Sequence, residues 1–538
     1  MVDESHPRGR KLPYELPAGC HPLFTSNDLP LGHQLAEIAE STRVAEVLKA
    51  SLELRISQAR LDLVRLEREA FYATRHIERC KFPLAPIRRL PVEILSRIFI
   101  SYADLLRKSP SMHDICNIKT GVWMLGHVCG HWRAVALSTA ALWSSFSFRC
   151  DLNSDTNRGH SSAAIADEFL LRSSSHLLSI DFDCHNGRSC LAASGGDSCR
   201  DVFVTLLARC QQWKQVRLSI PPAFYPEMRI IKDNIPNLSA FKLQLFTLGV
   251  ERGPVSLHDT DTFRSCPGLT NLKLYFYSTG SYIDFPWHQL TSFSGAASYG
   301  TTSVLACAPN IVDCTLRYGE EYPLGQPLVH RMQRLTLSVG RFLPRYLQTL
   351  DLPALTHICI EAQTAHGFVN LIRRSRSPLD SIQFHGFREM SEATTTGVLD
   401  LLAAAPTVTR LVLIGHSARS EDPEEKTSNV FSALAHSGLT PTSTLPKLEH
   451  LTMSGVVFDK HFVHMVESQY VHANGTLGVP IPEVSPLKSL RISDFGRTNE
   501  VHLLQLRRIE IQFGLKLTIE PPKPDRRPNH VYRSYIAS

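Results

Sequence analysis

The chain has 538 residues, 43% hydrophobic and 20% charged, a balance that excludes a largely disordered or collagen-like polymer. Length alone points to about three or four domains, a prior that repeat architectures break. With 57 Lys and Arg against 51 Asp and Glu, the net charge of +6 gives no domain-scale basic face of the kind nucleic-acid binding requires.

Residues 1–30 are expected to be disordered, and they carry no apolar core of a signal peptide. No stretch approaches about 18 uninterrupted apolar residues, so no membrane span is expected. The 13 Cys include no Cys-x-x-Cys pair, and an odd count in a long chain argues for thiols over a disulfide framework. A cytoplasmic and/or nuclear location follows as the expectation. Residues 31–81 then predict a coiled-coil helix. With Leu35 as an a position, the a/d series runs through Ile38, Thr42, Ala45, Lys49, Leu52, Ile56, Ala59, Leu63, Leu66, Ala70, Ala73 and Ile77. Pro83 and Pro86 are expected to end it. Such a stripe either packs on its own chain or self-associates, and residues 52–79 are the segment where a second copy would pair.

Residues 84–150 read as a different unit, with two short amphipathic helices. Pro91 and Glu93 suit a helix start, and Ile94, Leu95, Ile98 and Phe99 recur at helical spacing. A second predicted helix puts Leu125, Val128, Cys129, Trp132, Val135 and Ala136 on one face. About 65 residues cannot close a large core alone, so a partner is expected to cover apolar surface.

Leu90-Pro91-x-Glu93-Ile94-Leu95 followed by Val128-Cys129-x-x-Trp132-Arg133 resembles an F-box. The runs PIRRLPVEIL and VCGHWRAVALSTAALWSS are similar to the F-box proteins of mushroom-forming fungi, which often carry a coiled coil just upstream. Gly130 stands where that family is commonly basic, and the stretch between the helices is longer than usual. The resemblance implies docking on the adaptor protein of a cullin–RING ubiquitin ligase and, through it, on a cullin. The adaptor surface it implies comprises Leu90, Pro91, Ile94, Leu95, Ile98, Val128, Cys129 and Trp132.

From about 170 to 515 a short pattern recurs, apolar-x-x-apolar-x-apolar. Its copies include Leu177-Ile180-Phe182, Trp213-Val216-Leu218, Leu269-Leu272-Leu274, Met332-Leu335-Leu337, Val408-Leu411-Leu413 and Leu487-Leu490-Ile492. Leu506-Ile509-Ile511 closes the series, and Leu290-x-x-Phe293 is a partial copy. Most first positions stand roughly 20–30 residues apart, as in a leucine-rich repeat, where each unit gives one strand and a return segment. Stretches such as VFVTLLARC and GVLDLLAAA suit helical returns. The expected fold class is therefore α/β: a long N-terminal helix, a small all-α F-box, then an irregular leucine-rich-repeat solenoid with a parallel sheet. Residues 516–538 are expected to form a C-terminal tail.

No phosphate loop, dinucleotide fingerprint, nucleophile elbow or His-Glu-x-x-His zinc motif occurs, so no enzyme, catalytic residue or cofactor is expected. Cys184, His185, Cys190 and Cys199 cluster in sequence, but gaps of five or more between the Cys do not match the two-to-four spacing of zinc ligands, and no metal is expected. His461 and His464 read as surface residues. The expected function is that of a ubiquitin-ligase substrate receptor, with the repeats holding an unknown protein substrate. The alternative is a non-catalytic repeat and coiled-coil scaffold without a role in degradation.

Overall fold

A computed structural model of the chain describes residues 17–84, 86–107, 114–117, 119–150, 159–184, 197–245, 261–276, 283–296, 298–299, 302–317, 327–338, 345–387, 390–415, 424–435, 445–456, 459–473, 485–493 and 500–520. The chain divides into two compact units, Met1–Leu95 and Ser96–Ser538.

The first unit is dominated by α1 (Gly32–Leu84), a 53-residue helix. Residues 33–82 contain neither Gly nor Pro, and ion pairs such as Lys49–Glu53 (3.8 Å) and Arg65–Glu69 (3.0 Å) support successive turns. Where an unstructured run was expected, Ala18–Phe24 forms a 3-10 helix. Its buried Cys20 donates from Sγ toward the Gln34 carbonyl at 3.8 Å, which holds this turn beside the start of α1. A short 3-10 helix, Pro86–Arg89, leads to α2 (Val92–Arg107). Pro91 stands just outside α2, and its carbonyl accepts the first helical bond from Leu95 N at 3.0 Å. The division between the units falls inside α2.

The second unit holds two short helices, α3 (Trp123–Val128) and α4 (Gly130–Ser138), and a 14-stranded sheet. Strand order follows chain order throughout, every pairing is parallel, and the sheet does not close into a barrel. With strands numbered along the whole chain, including the short pairs Ser298–Tyr299 with Thr302–Ser303 and Leu328–Val329 with Leu350–Asp351 that stand apart from it, the sheet begins with β1 (Ser145–Arg149) and β2 (Leu178–Asp183) and ends with β17 (Ser489–Ser493) and β18 (Lys516–Glu520). Leu272, Leu335 and Leu411 belong to this one sheet, in β5 (Asn271–Phe276), β11 (Arg334–Ser338) and β15 (Arg410–Ile414).

The second apolar position of each copy forms a continuous rung: Phe146, Ile180, Val216, Phe241, Leu272, Phe293, Cys314, Leu335, Ile358, Ile382, Leu411, Leu451, Leu490 and Leu517 are partners in register. Two residues on, Phe148, Phe182, Leu218, Leu243 and Leu274 make a parallel rung. Period-2 geometry places both rungs on one face, which is buried from Phe146 to Leu490 and half-buried at the last strand. The chain returns along that side through helices such as α5 (Gly159–Ser173), Asp197–Leu207, Ala365–Ser375 and Glu392–Ala403.

A second device keeps the copies in step. At the start of the strands from Asn271 to Ser489, two successive N–H groups donate to one carbonyl of the preceding copy: Thr291 and Ser292 to Thr270 O, Thr356 and His357 to Gln333 O, Thr409 and Arg410 to Asp380 O. The same fork recurs from Ser239 to Ser489. Strand starts are thereby fixed, and unequal return lengths are absorbed elsewhere.

Several expectations are corrected. The sheet starts at Ser145, inside the segment read as the helical module, because Trp143-x-x-Phe146-x-Phe148 is itself a copy of the pattern. It ends at Glu520, beyond 515. Leu506, Ile509 and Ile511 lie in a helix, Glu500–Phe513, where Leu506 and Ile509 share the buried face and Ile511 is 85% exposed. Gly514, at φ +74°, ends that helix in the left-handed conformation before β18 supplies the real rung residues Leu517 and Ile519. Leu177 is 41% exposed and Leu178 takes its place inward, next to a register shift between Leu178 and Ser179. The partial copy at Leu290 is a full strand, Ser292–Ala296, in which Gly295 occupies the third position opposite Leu316. No helix among the described residues is long and apolar enough to cross a membrane.

Candidate functional site

α2 carries two apolar faces. At 100° per residue, Ile94, Ile98 and Leu105 fall within about 40° of one another, and Leu95, Phe99 and Ala103 lie roughly 120° further round. The second set is buried; of the first set, Ile94 and Ile98 are each 42% exposed and Leu105 is 66% exposed. Leu95, expected at the adaptor surface, is therefore a core residue, because its place on the helix turns it inward. Pro91 is exposed and Leu90 half-buried.

The second motif is not one continuous helical face. Cys129 is extended (φ −163°, ψ 171°) and separates α3 from α4, serving as the cap whose carbonyl accepts from Arg133 N at 3.0 Å. Gly130 opens α4 rather than lying inside a helix, so it carries little of the usual glycine cost. Val128 is exposed, Cys129 and Trp132 are half-buried, and Val135 and Ala136 are buried. The Trp132 ring lies 5.0 Å from that of Phe99, so Trp132 ties α4 to α2 as well as facing solvent. Thr139 Oγ1 bonds Ser96 Oγ at 3.2 Å, a second link between the same helices.

The long connection after α2 has a structural use. Asp114 makes a parallel bridge to Ser147, Ile115 N donates to Ser147 O at 2.9 Å, and Ile115 is buried. The connection thus lies along the free edge of β1. Trp123 Nε1 donates to Ile115 O at 3.1 Å, and the Trp123 ring packs at 5.3 Å on Trp143, which packs at 4.9 Å on Phe169 of α5. The Arg172 guanidinium stacks over Trp143 at 4.4 Å and is held by Glu168 at 2.8 Å. This aromatic box joins α3 and the first copies of the sheet into one core.

The other face of the sheet is polar, and its side chains range from the partly buried Asp181 to the exposed Arg217 and Lys273. Between its two inward rungs runs an outward row in which Asp181, Arg217, Lys242 and Lys273 are successive register partners. Tyr275 beside them receives Lys242 Nζ at 5.2 Å and the Arg317 guanidinium at 4.6 Å from its ring. Burial pushes the Asp181 carboxyl above its ordinary range, against the opposing pull of Arg217 at 3.7 Å.

His461 accepts or donates at Nδ1 to Ser432 Oγ at 3.0 Å, and His464 is exposed on the same helix, Lys460–Ala473. His185 and Cys190 of the cysteine cluster lie outside the described residues, as do residues 416–423 of the acidic loop and the tail from 521. Cys184 and Cys199 do come together, with a third thiol that the local spacing does not reveal, that of Cys150. No family model and no curated protein matches this chain.

Proposed function

We propose that the chain is a substrate-recognition subunit of a cullin–RING ubiquitin ligase. The observation that carries this reading is the second apolar face of α2, left exposed at Ile94, Ile98 and Leu105 on a helix whose other apolar face, about 120° round, is already buried. A surface helix that is apolar on both sides needs a partner. The F-box-like motif around it names that partner as the ligase's adaptor. Leu90, Pro91 and Ile94 of the first unit would meet the adaptor, as would Ile98, Val128 and Cys129 of the second, where the inner side of Trp132 would hold α4 to the Phe99 turn of α2.

In this reading the sheet is an irregular leucine-rich-repeat array. Sequential strand order, parallel pairing and one inward rung that runs unbroken through all fourteen strands support it. The protein itself makes and breaks no bonds; it holds a substrate on the polar face of the sheet, where the basic run Arg217, Lys242, Lys273 and Arg317 suits an acidic segment. Affinity purification of the full chain should recover the adaptor in stoichiometric amount. Changing Leu90 and Pro91 together to Ala should remove it, since interface anchors are worth roughly 2 kcal/mol or more each. Recovery of the adaptor at wild-type yield by that variant rejects the reading. Partners that depend on α1, recovered with no adaptor, would favour a scaffold without a role in degradation.

A further inference from the structure

The structure assigns a thiolate metal site to Cys150, Cys184 and Cys199, whose Sγ atoms all lie within 4.8 Å of one another. The arrangement follows from the register of the sheet. Cys150 directly follows β1 and Cys184 directly follows β2, and Arg149 is the register partner of Asp183. Each cysteine prolongs its ladder by one bond, Cys150 N to Asp183 O and Cys184 N to Ser219 O, both 2.9 Å. Phe146, Phe148 and Cys150 alternate onto one face, as do Ile180, Phe182 and Cys184. The next rung after the stacked pair Phe148–Phe182 (5.2 Å between rings) is therefore thiol beside thiol.

The third ligand arrives from the return segment. Cys199 sits in the first turn of the helix Asp197–Leu207, four residues before Phe203, whose ring packs 5.3 Å from Phe182. That contact seats the first turn over the two strand ends. Backbone N–H groups at a helix start favour an anion, which suits a thiolate. Cys184 and Cys199 are buried and Cys150 is half-buried, so two of the three thiols lie in the interior.

Three sulfurs at this separation fit a soft divalent cation. Zinc–sulfur bonds of about 2.3 Å in a tetrahedron put sulfurs about 3.8 Å apart, so a contraction of roughly 1 Å at most completes the site. Thiolate sets select zinc over hard cations such as calcium and magnesium. Cys150, Cys184 and Cys199 would supply three of the four positions of a tetrahedral zinc. Bound there, zinc would clamp β1, β2 and the helix Asp197–Leu207 together, next to the aromatic box that anchors α3.

Full-length protein purified without added chelator should carry about one zinc per chain by plasma mass spectrometry. Protein grown in cobalt-supplemented minimal medium should show the sulfur-to-cobalt charge-transfer absorption of thiolate ligation. Cys184→Ser and Cys199→Ser should each lower bound metal roughly tenfold or more, with that absorption lost, and the exposed Cys80→Ser should change neither. Trace zinc together with no charge-transfer band in the wild type overturns the assignment, and this reading needs no variant to fold. Wild-type metal content in a folded Cys150→Ser/Cys184→Ser/Cys199→Ser chain overturns it equally.

Discussion

Two glycines that look alike in the sequence have opposite roles in the fold. Gly455 sits at φ +66°, and a Cβ there would stand 2.6 Å from the Gly415 carbonyl oxygen of the neighbouring copy. Gly455→Ala should therefore cost about 1–3 kcal/mol, read as a lowered midpoint in thermal or denaturant unfolding. Gly130 has nothing within 4 Å of its would-be Cβ and opens α4, so Gly130→Ala should be neutral or stabilise by up to about 1 kcal/mol. Sequence reading placed Gly130 inside a helix because it could not see that Cys129 turns extended. Asp181 gives a pH-dependent case. Its carboxyl is raised from the ordinary 3.8 by burial, so the folded state binds the proton more tightly than the unfolded state. The contribution of such a group is fully present below 3.8 and is lost as pH rises through the raised value. Asp181→Asn should thus stabilise at pH 7 and lose that advantage in acid. Equal unfolding midpoints for the two proteins at pH 7 would contradict the burial argument.

At the scale of elements, the proposed function has α2 separate docking from folding within one helix. Ile98→Asp should abolish adaptor capture with an unchanged melting temperature, because Ile98 faces solvent. Phe99→Ala, one residue on, should cost about 3–5 kcal/mol of stability through lost packing against Trp132. If Ile98→Asp unfolds the protein, that face is not a free surface. The spacing of Ile94 and Ile98 was legible as helical, but which side pointed inward was not, since both stripes are apolar. The strands were the most legible part of the chain. Their apolar residues alternate, and alternation with a fixed lead-in residue has no good helical counterpart. Its weak point showed at Leu506 and Ile509, where an i, i+3 pair satisfies a helix equally well and the helix won. The first strand escaped notice for another reason: Trp143, Phe146 and Phe148 obey the pattern but stand within a segment already assigned to the helical module.

For the whole molecule, register does what spacing in sequence cannot. The three thiols come from two strand ends and a return helix, so local Cys spacing argued against a metal while the ladder of the sheet put the sulfurs together. The same limit applies to α1, whose heptad stripe was legible but whose partner was not. Along α1, Leu35, Ile56, Leu63, Leu66 and Ile77 are all more than half exposed in the single chain. Helices this long owe most of their stability to packing, so an uncovered seam calls for a second helix. Pairing of residues 52–79 between two copies would bury Ile56, Leu63, Leu66 and Ile77 at a and d positions. Light scattering on the wild type should then report a dimer at micromolar concentration. Leu63→Glu/Leu66→Glu would place carboxylates from both chains in one apolar seam, where each desolvated charge costs several kcal/mol. That variant should be a monomer that still captures the adaptor, because the changes lie on α1 and leave α2 untouched. A wild type that stays monomeric throughout the micromolar range rules out the paired seam. A variant that remains dimeric shows that the contact between copies lies elsewhere on the chain.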